Sequence, residues 1–296
     1  MHFQVTDDQH QLRRALGELL TDRGPDHPAS WRELEDVGLF SLRVPEQAGG
    51  LGLGLPEAVL AFEEAGRAVL PGPLVGTELA AAVLGVGGRA EVVRVPARGS
   101  VLVPDLPTLD HVLLLHPDDS LAVLPAAGLD ATPVPAVDPD RPLWRLEGVL
   151  PLGEHSPGAR RVAAEGALLT AALQAGLAAR TVAEAVAYAR TREQFGQPIG
   201  AFQAVQHLCA DMLARAELAR VAVYAAAVAG DEAEIAGAKL LADEAAVHGA
   251  RDCLQVHGGM GFTWEARVHR LLKRAWAWQQ AVADRDRCLD VLAGRL

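Results

Sequence analysis

The chain has 296 residues, a formal net charge of −11 and an apolar fraction of 50%. The acidic balance, without a cluster of Lys and Arg, argues against nucleic acid as a partner. Cys209, Cys253 and Cys288 lie far apart and form no Cys-x-x-Cys pair, so neither a disulfide framework nor a zinc site is expected.

The sequence predicts a cytoplasmic protein without a membrane segment. No apolar run reaches the roughly 18 residues that a membrane-spanning helix needs. The first eight residues lack the basic region and apolar core of a signal peptide. The scattered cysteines fit a reducing compartment.

Residues 1–95 are predicted to form an N-terminal helical domain. Thr6 and Gln9 have the spacing of a capping box, and leucines follow them at helical spacing. A further helical pattern runs from Pro56 to Val69. The glycine-rich stretch 43–54 matches no phosphate-loop template, so we expect a tight connection between helices there.

Residues 96–157 are predicted to form a reduced β-domain. Prolines are dense in this stretch, and three short apolar runs have the length of strands, at 101–103, 112–115 and 121–124. So few strands suit a small sheet better than a large independent domain.

Residues 158–296 are predicted to form an antiparallel four-helix bundle. Helical periodicity returns in four pieces joined by short turns, at about 160–192, 202–229, 231–256 and 266–283. The fold class is therefore mainly α, with a small β insert between two helical parts.

The stretch Tyr188–Gly200 forms the corner between the first two bundle helices. Glycines and a proline break the helix after a row of charged residues. Arg192, Gln194 and Phe195 place a cation, an amide and an aromatic ring together, which suits an anion clamp with a stacking surface. A solvated helix end is the alternative interpretation.

A second stretch, Gln255–Phe262, ends the third bundle helix with three glycines. Bare backbone at Gly258 and Gly259 would let a ligand approach closely, and the Gln255 amide can donate or accept hydrogen bonds. The alternative is an ordinary glycine cap at the end of a helix. Metal-binding and serine-nucleophile motifs do not occur in the sequence.

Taken together, the motifs resemble those of the acyl-CoA dehydrogenases. The C-terminal half has Arg-Thr-Arg-Glu-Gln-Phe-Gly-Gln-Pro-Ile, then Phe-Gln, and much later Gln-x-His-Gly-Gly-Met-Gly-Phe. The N-terminal part has Val-Pro-Glu-x-x-Gly-Gly-Leu-Gly and Phe-Glu-Glu-Ala-Gly-Arg, and the resemblance covers nearly the whole chain except its middle. It implies that family's three-domain fold and assembly into dimers or tetramers around FAD.

The resemblance also implies roles for individual residues around an FAD held mainly by a neighbouring subunit. Arg192 would contact the pyrophosphate, Gln194 and Phe195 would line it, and Gln203 would support them. Gln255 and the two glycines Gly258 and Gly259 would approach the adenosine end. The family's reaction removes a proton from Cα of an acyl thioester with a carboxylate base, while a hydride passes from Cβ to the flavin.

Two departures from the family's pattern stand out. The Glu-Gly-Thr turn that carries the usual base falls at Val282, Ala283 and Asp284, so the catalytic residue is unknown. Members that place the base on the first bundle helix would have it at about Gly166, whose neighbour Glu165 is turned about 100° around the helix and reads as a surface residue. In addition, the flavin-binding motifs Thr-Glu and Gly-Ser-Asp have no counterpart between residues 96 and 157.

The departures resemble those of short partner subunits in heteromeric acyl-CoA dehydrogenases. The resemblance then implies a longer homologue as partner in a heterodimer or heterotetramer, an acyl-CoA or carrier-bound acyl thioester as substrate, and an electron-transfer acceptor. Two alternatives stay open: a complete homo-oligomeric enzyme with Glu165 as a relocated base, and a scaffold subunit without flavin.

Overall fold

A computed structural model describes residues 5–21, 31–96 and 98–295. The N-terminal part contains α1 (Asp7–Thr21), α2 (Trp31–Asp36), α3 (Leu55–Arg67) and α4 (Leu74–Leu79), which continues as a π-helical turn over Ala80–Leu84. The predicted capping box is confirmed at the start of α1. The backbone N–H of Thr6 donates to Gln9 Oε1 over 3.0 Å, and that of Gln9 donates to Thr6 Oγ1 over 3.3 Å.

The middle part forms two three-stranded sheets. The first sheet has the strand order β1 (Ala90–Arg94), β3 (His111–Leu115) and β4 (Leu121–Pro125). The second has the order β2 (Leu102–Pro104), β6 (Leu143–Leu146) and β5 (Ala131–Val134).

The predicted strands form, but the sequence missed half of the sheet structure. β1 lies before residue 96, in the stretch predicted to be helical, and pairs in parallel with β3. β5 and β6 were also missed, because Pro133 lies within β5 and each of the two strands has only four residues. The proposed boundaries at residues 95 and 157 stay a prediction.

Strand β3 connects the two hydrophobic cores. Leu113 and Leu115 belong to the large helical core, whereas Val112 and Leu114 belong to the small core of the sheets. Alternate side chains of a strand point to opposite faces, so one strand with both faces buried packs against both layers. This packing places the sheets directly beside the bundle.

The C-terminal part is the expected bundle, formed by α5 (Pro157–Thr191), α6 (Gln203–Ala229), α7 (Glu232–His257) and α8 (Val268–Gln279). Ser156 caps α5 by accepting the N–H of Ala159, and Asp231 caps α7 as predicted. A further helix, α9 (Arg285–Ala293), was missed because its sequence is short and highly charged.

Helix α5 corrects the expectation that no segment is long and apolar enough to cross a membrane. Within the described residues it meets that criterion by length and composition, and 78% of its apolar window is buried inside the fold. A core helix enclosed by α3, α6, α7 and α8 has the same composition, and α5 is such a helix.

Candidate functional site

The corner between α5 and α6 is a short β-hairpin. β7 (Glu193–Gln194) pairs with β8 (Gln197–Pro198), and the N–H of Ile199 donates to Arg192 O over 2.8 Å. The two turn residues both have positive φ, 55° at Phe195 and 80° at Gly196. This is a type I′ turn, and holding an aromatic residue in it costs about 1 kcal/mol or more of backbone strain.

The hairpin presents its functional candidates to the outside. The Phe195 side chain is 93% exposed, and its ring meets that of Phe202 edge to face with the centroids 6.2 Å apart. Arg192 is exposed, and its guanidinium has no hydrogen bond or ion pair within the described residues. The Gln194 amide donates to the backbone oxygen of Glu193 over 2.8 Å.

Gln206, which sequence reasoning missed, fixes the hairpin onto α6. Its Nε2 donates to Gly200 O over 2.9 Å. Gly200 itself lies so close to α5 that a Cβ there would be 2.9 Å from Ala189 O. Gln203, predicted to support the site, is exposed in the first turn of α6. Its supporting role stays a prediction.

The glycine turn after α7 exposes bare backbone, as the sequence predicted. Gly258 has φ 60° and ψ −143°, and a Cβ built at Gly258 or Gly259 would meet no atom within 4 Å. Gln255 is exposed one turn before it. Backbone groups in this turn are therefore accessible to a ligand, although their assigned contact with adenosine stays a prediction.

The structure brings the two motifs together through an aromatic stack. The rings of Tyr188 and His257 lie 4.0 Å apart at an interplanar angle of 22°. Tyr188 is in the last turn of α5, and His257 is the last residue of α7. In the sequence, the only sign of this contact is that an aromatic residue precedes each of the two helix breaks. The distance between Tyr188 and His257 along the chain does not predict that they stack.

The two positions to which the resemblance assigns the family's base, Gly166 and Val282, lie against each other, and neither carries an acid. A Cβ built at Gly166 would be 2.9 Å from Val282 Cγ1 and 3.1 Å from Leu79 Cδ1. Val282 is 2% exposed and has φ 60°, a strained conformation for a β-branched residue. The space beside Gly166 is therefore filled by apolar side chains.

Glu165 is ion-paired, not the surface residue that the sequence suggested. Its Oε2 accepts from Arg43 over 2.5 Å, its Oε1 accepts from Arg161 over 2.8 Å, and the side chain is 13% exposed. Arg43 also donates to both oxygens of the fully buried Glu78, at 2.5 and 2.7 Å. Burial raises the pKa of Glu78, and Arg43 opposes that rise.

A cleft of about 760 Å³ lies between the sheets and the bundle, next to Val282. Ala167 and Ala283 line it, together with Arg94. Arg94 Nε donates to Val282 O over 2.6 Å, and Arg94 and Arg287 both pair with Asp119. The ion pair of Arg287 with Asp119 and the hydrogen bond of Arg94 to Val282 O therefore connect the sheet to the C-terminal part beside this cleft.

The residues present fit one end of an FAD molecule and not the other. The hairpin offers an unpaired cation and an exposed ring, and the glycine turn offers open backbone, which suit a pyrophosphate and a nucleoside. At the flavin-ring end, the sequence lacks the family's strand motif. The ion pairs of Asp119 with Arg94 and Arg287 line the cleft beside Val282. Within the described part of the chain, three or more potential ligands for a metal ion do not cluster anywhere.

Comparison with known families agrees with this geometry. The model of the acyl-CoA dehydrogenase N-terminal domain matches residues 6–93, and that of the C-terminal domain matches residues 159–279. The unmatched residues between them include five of the six strands of the two sheets.

Individual relatives were found in Mycobacterium tuberculosis. Acyl-CoA dehydrogenase IpdE2 is 37% identical over 268 residues, which cover 87% of this chain and 83% of that protein. Acyl-CoA dehydrogenase FadE34 is also 37% identical over 83% of this chain, but the match spans only 39% of that protein.

Solved structures show the same fold. A variant of the Tcur3481–Tcur3483 steroid ACAD is 25% identical with a TM-score of 0.83, covering 98% of each chain. The ChsE4–ChsE5 complex from Mycobacterium tuberculosis is 23% identical with a TM-score of 0.81, covering 100% of this chain and 98% of that one. The chain belongs to the acyl-CoA dehydrogenase family, whose cofactor is FAD.

Proposed function

We propose that the chain is the non-catalytic subunit of a heteromeric acyl-CoA dehydrogenase and clamps the FAD of a longer homologous subunit. The observation that carries this proposal is the contact between Gly166 and Val282. Both positions to which the resemblance assigns the family's base are apolar and fill each other's space, so neither of them can take the proton from Cα. The partner then has to supply the base.

This chain's own residues would act on the distal end of the FAD. The guanidinium of Arg192 can bind pyrophosphate oxygens with charge-assisted hydrogen bonds. Phe195 would cover the dinucleotide with its exposed apolar ring, and the bare turn at Gly258 and Gly259 would let the adenosine approach the backbone. When bound, FAD supplies the acceptor for the hydride that leaves Cβ of the substrate.

Two comparisons support a heteromer. The ChsE4–ChsE5 structure is named as a complex of two proteins, and the Tcur3481–Tcur3483 steroid ACAD is likewise named for two proteins. We infer that the substrate is an acyl thioester of CoA or of a carrier protein, and that its acyl group is as bulky as a sterol side chain. Electrons would leave through a separate acceptor. The three free cysteines support a reducing, cytoplasmic location.

The two alternatives have less support. Glu165 as a relocated base would have to break an ion pair with Arg43 or Arg161 before either oxygen could take a proton. A scaffold without flavin would not need an exposed Arg192, unpaired among the residues that the structure describes, beside a strained Phe195.

The test uses the complex of this chain with its longer homologue. The catalytic carboxylate of the homologue is changed to the amide, and bleaching of the flavin by an acyl-CoA is followed by absorbance. We expect the altered complex to keep its FAD and lose bleaching. Bleaching at the original rate would show that this chain supplies the base, and the proposal would be wrong.

A further inference from the structure

The proposed FAD clamp consists of two half-sites on different helices. One is the hairpin with Arg192 and Phe195, after the end of α5. The other is the turn of Gly258 and Gly259, after the end of α7, with Gln255 beside it. Two weak half-sites bind one ligand strongly only when their separation is held fixed, because the second contact is then made at a high effective concentration.

Tyr188 and His257 are placed to fix that separation. The N–H of Arg192 donates to Tyr188 O over 2.9 Å, so the hairpin starts directly from the turn that carries the tyrosine. His257 is covalently bonded to Gly258. The stack at 4.0 Å is therefore within one helical turn of both half-sites.

The orientation of the His257 ring is itself fixed. Its Nδ1 lies 2.8 Å from Cys253 O. A carbonyl oxygen only accepts hydrogen bonds, so Nδ1 is the donor in this contact. The hydrogen bond keeps the ring from turning about its side chain, so the ring presents a constant face to Tyr188.

Both rings are half-buried and also form part of the wall of a cleft of about 900 Å³ between the N-terminal helices and the bundle. In contrast, the predicted flavin contacts Arg192, Gln255 and Gly258 do not line this cleft. Met260 of the glycine turn lines the cleft as well. The stack thus adjoins the segments that would hold the ligand without being among the predicted contacts.

We propose that the Tyr188–His257 stack is a positioning contact that holds the two half-sites in register for a single dinucleotide. The inference rests on the proposed function. Beyond that function, it claims that the FAD contacts of one half-site strengthen those of the other, and that this dependence requires the stack. If the stack only stabilised the fold, removing it would weaken the complex without changing that dependence.

A double-mutant cycle on the flavin-stripped complex tests this claim. FAD is titrated into complexes that carry Arg192→Ala, Gln255→Ala or Tyr188→Leu, and into each pair of these, with the dissociation constant read from flavin fluorescence. Tyr188→Phe keeps a stacked ring and should bind like the unaltered protein. Phe40→Leu removes a comparable stack, on Trp31 at 4.5 Å, and serves as the control for lost stability alone.

We expect Arg192→Ala, Gln255→Ala and Tyr188→Leu each to raise the dissociation constant about 10-fold. With Tyr188→Leu already present, Gln255→Ala should add less than about 3-fold, because the two half-sites no longer bind together. With Phe40→Leu present, Gln255→Ala should keep its full effect.

A full additional effect of Gln255→Ala in the Tyr188→Leu complex would overturn the positioning role while leaving the clamp intact. If Arg192→Ala and Gln255→Ala leave FAD binding unchanged, the proposed function itself fails. His257→Leu repeats the cycle from the other ring. A melting temperature is measured for every variant. The cycle is then evaluated with Tyr188→Leu or His257→Leu, depending on which of the two variants stays folded.

Discussion

Gly166 and Val282 lie in direct contact in the interior of the chain. A Cβ on Gly166 would come within 2.9 Å of Val282 Cγ1, which is closer than real Cβ contacts allow. The two residues occupy the two positions to which the resemblance assigns the catalytic base. An acid at either position would displace a buried neighbour, so the packing favours the proposed loss of the base.

Gly166→Ala should destabilise the protein by about 1–3 kcal/mol, because the new methyl group overpacks the space against Val282 and Leu79. Val282→Ala should reduce this cost, and the two substitutions together should be less destabilising than their sum. Chemical denaturation of the four proteins measures the coupling. Strictly additive values would mean that Val282 does not limit the space at Gly166.

Glu165→Gln should leave the turnover of the heteromeric complex within about two-fold of the original, because Glu165 has no part in proton transfer. It should lower the free energy of unfolding by about 1–3 kcal/mol, because Arg43 loses one of its two carboxylate partners in a buried site. Steady-state kinetics and denaturation are measured together. Abolished turnover in a folded complex would instead identify Glu165 as the base.

Arg192→Ala should weaken FAD binding by the complex about 10-fold, the loss expected for a charge-assisted hydrogen bond to a phosphate. The matched control is Arg190→Ala, since Arg190 is also exposed and lies in the last turn of α5, just before Arg192. The control should change affinity by less than about two-fold. Equal losses in both variants would indicate a general effect of charge in place of a specific contact.

Stability should depend on pH through Asp243, which is buried beside Lys239 and Gln174 in the bundle. Burial raises the pKa of Asp243 to about 6, from an ordinary value of 3.8, against the opposing effect of Lys239. The folded state therefore binds this proton more tightly than the unfolded state. Its stabilising contribution is complete below about pH 4 and is lost as the pH rises through about 6, on the order of 3 kcal/mol in all.

The corresponding measurement is the free energy of unfolding between pH 4 and 7 for the unaltered protein and for Asp243→Asn. The difference between the two profiles should fall across this range, because asparagine does not titrate. The pH slope of this difference is the readout, and its absolute size is not, because Asp243→Asn also removes the counter-charge of the buried Lys239. Parallel profiles would show that Asp243 titrates at its ordinary pKa.

Local sequence patterns were sufficient for the long bundle helices, although they missed α9. The capping box at Thr6 and the N-cap at Asp231 depend on neighbours in sequence, and both form as predicted. The turn at Gly258 likewise follows local backbone preferences, whereas Phe195 adopts a positive φ that an aromatic residue disfavours. Strands such as β5, which contains Pro133, depend on pairing with distant residues and were missed.

Contacts between residues that are far apart in the chain could not be predicted from the sequence. The position of Glu165 on a helix suggested a surface residue, but Arg43, which is distant in the sequence, forms an ion pair with it. The stack of Tyr188 on His257 joins the ends of two helices whose relative positions only the packed bundle defines. The sequence suggested both flavin motifs, but it could not show how they are connected.

The most direct test of the account is the flavin absorbance of the purified chain, alone and after co-expression with a longer homologue. The account predicts a colourless chain alone and a yellow complex with about one FAD per pair of chains, because the flavin-ring contacts come from the partner. Stoichiometric FAD in the chain alone, bleached by an acyl-CoA, would contradict it and show a complete active site within this chain.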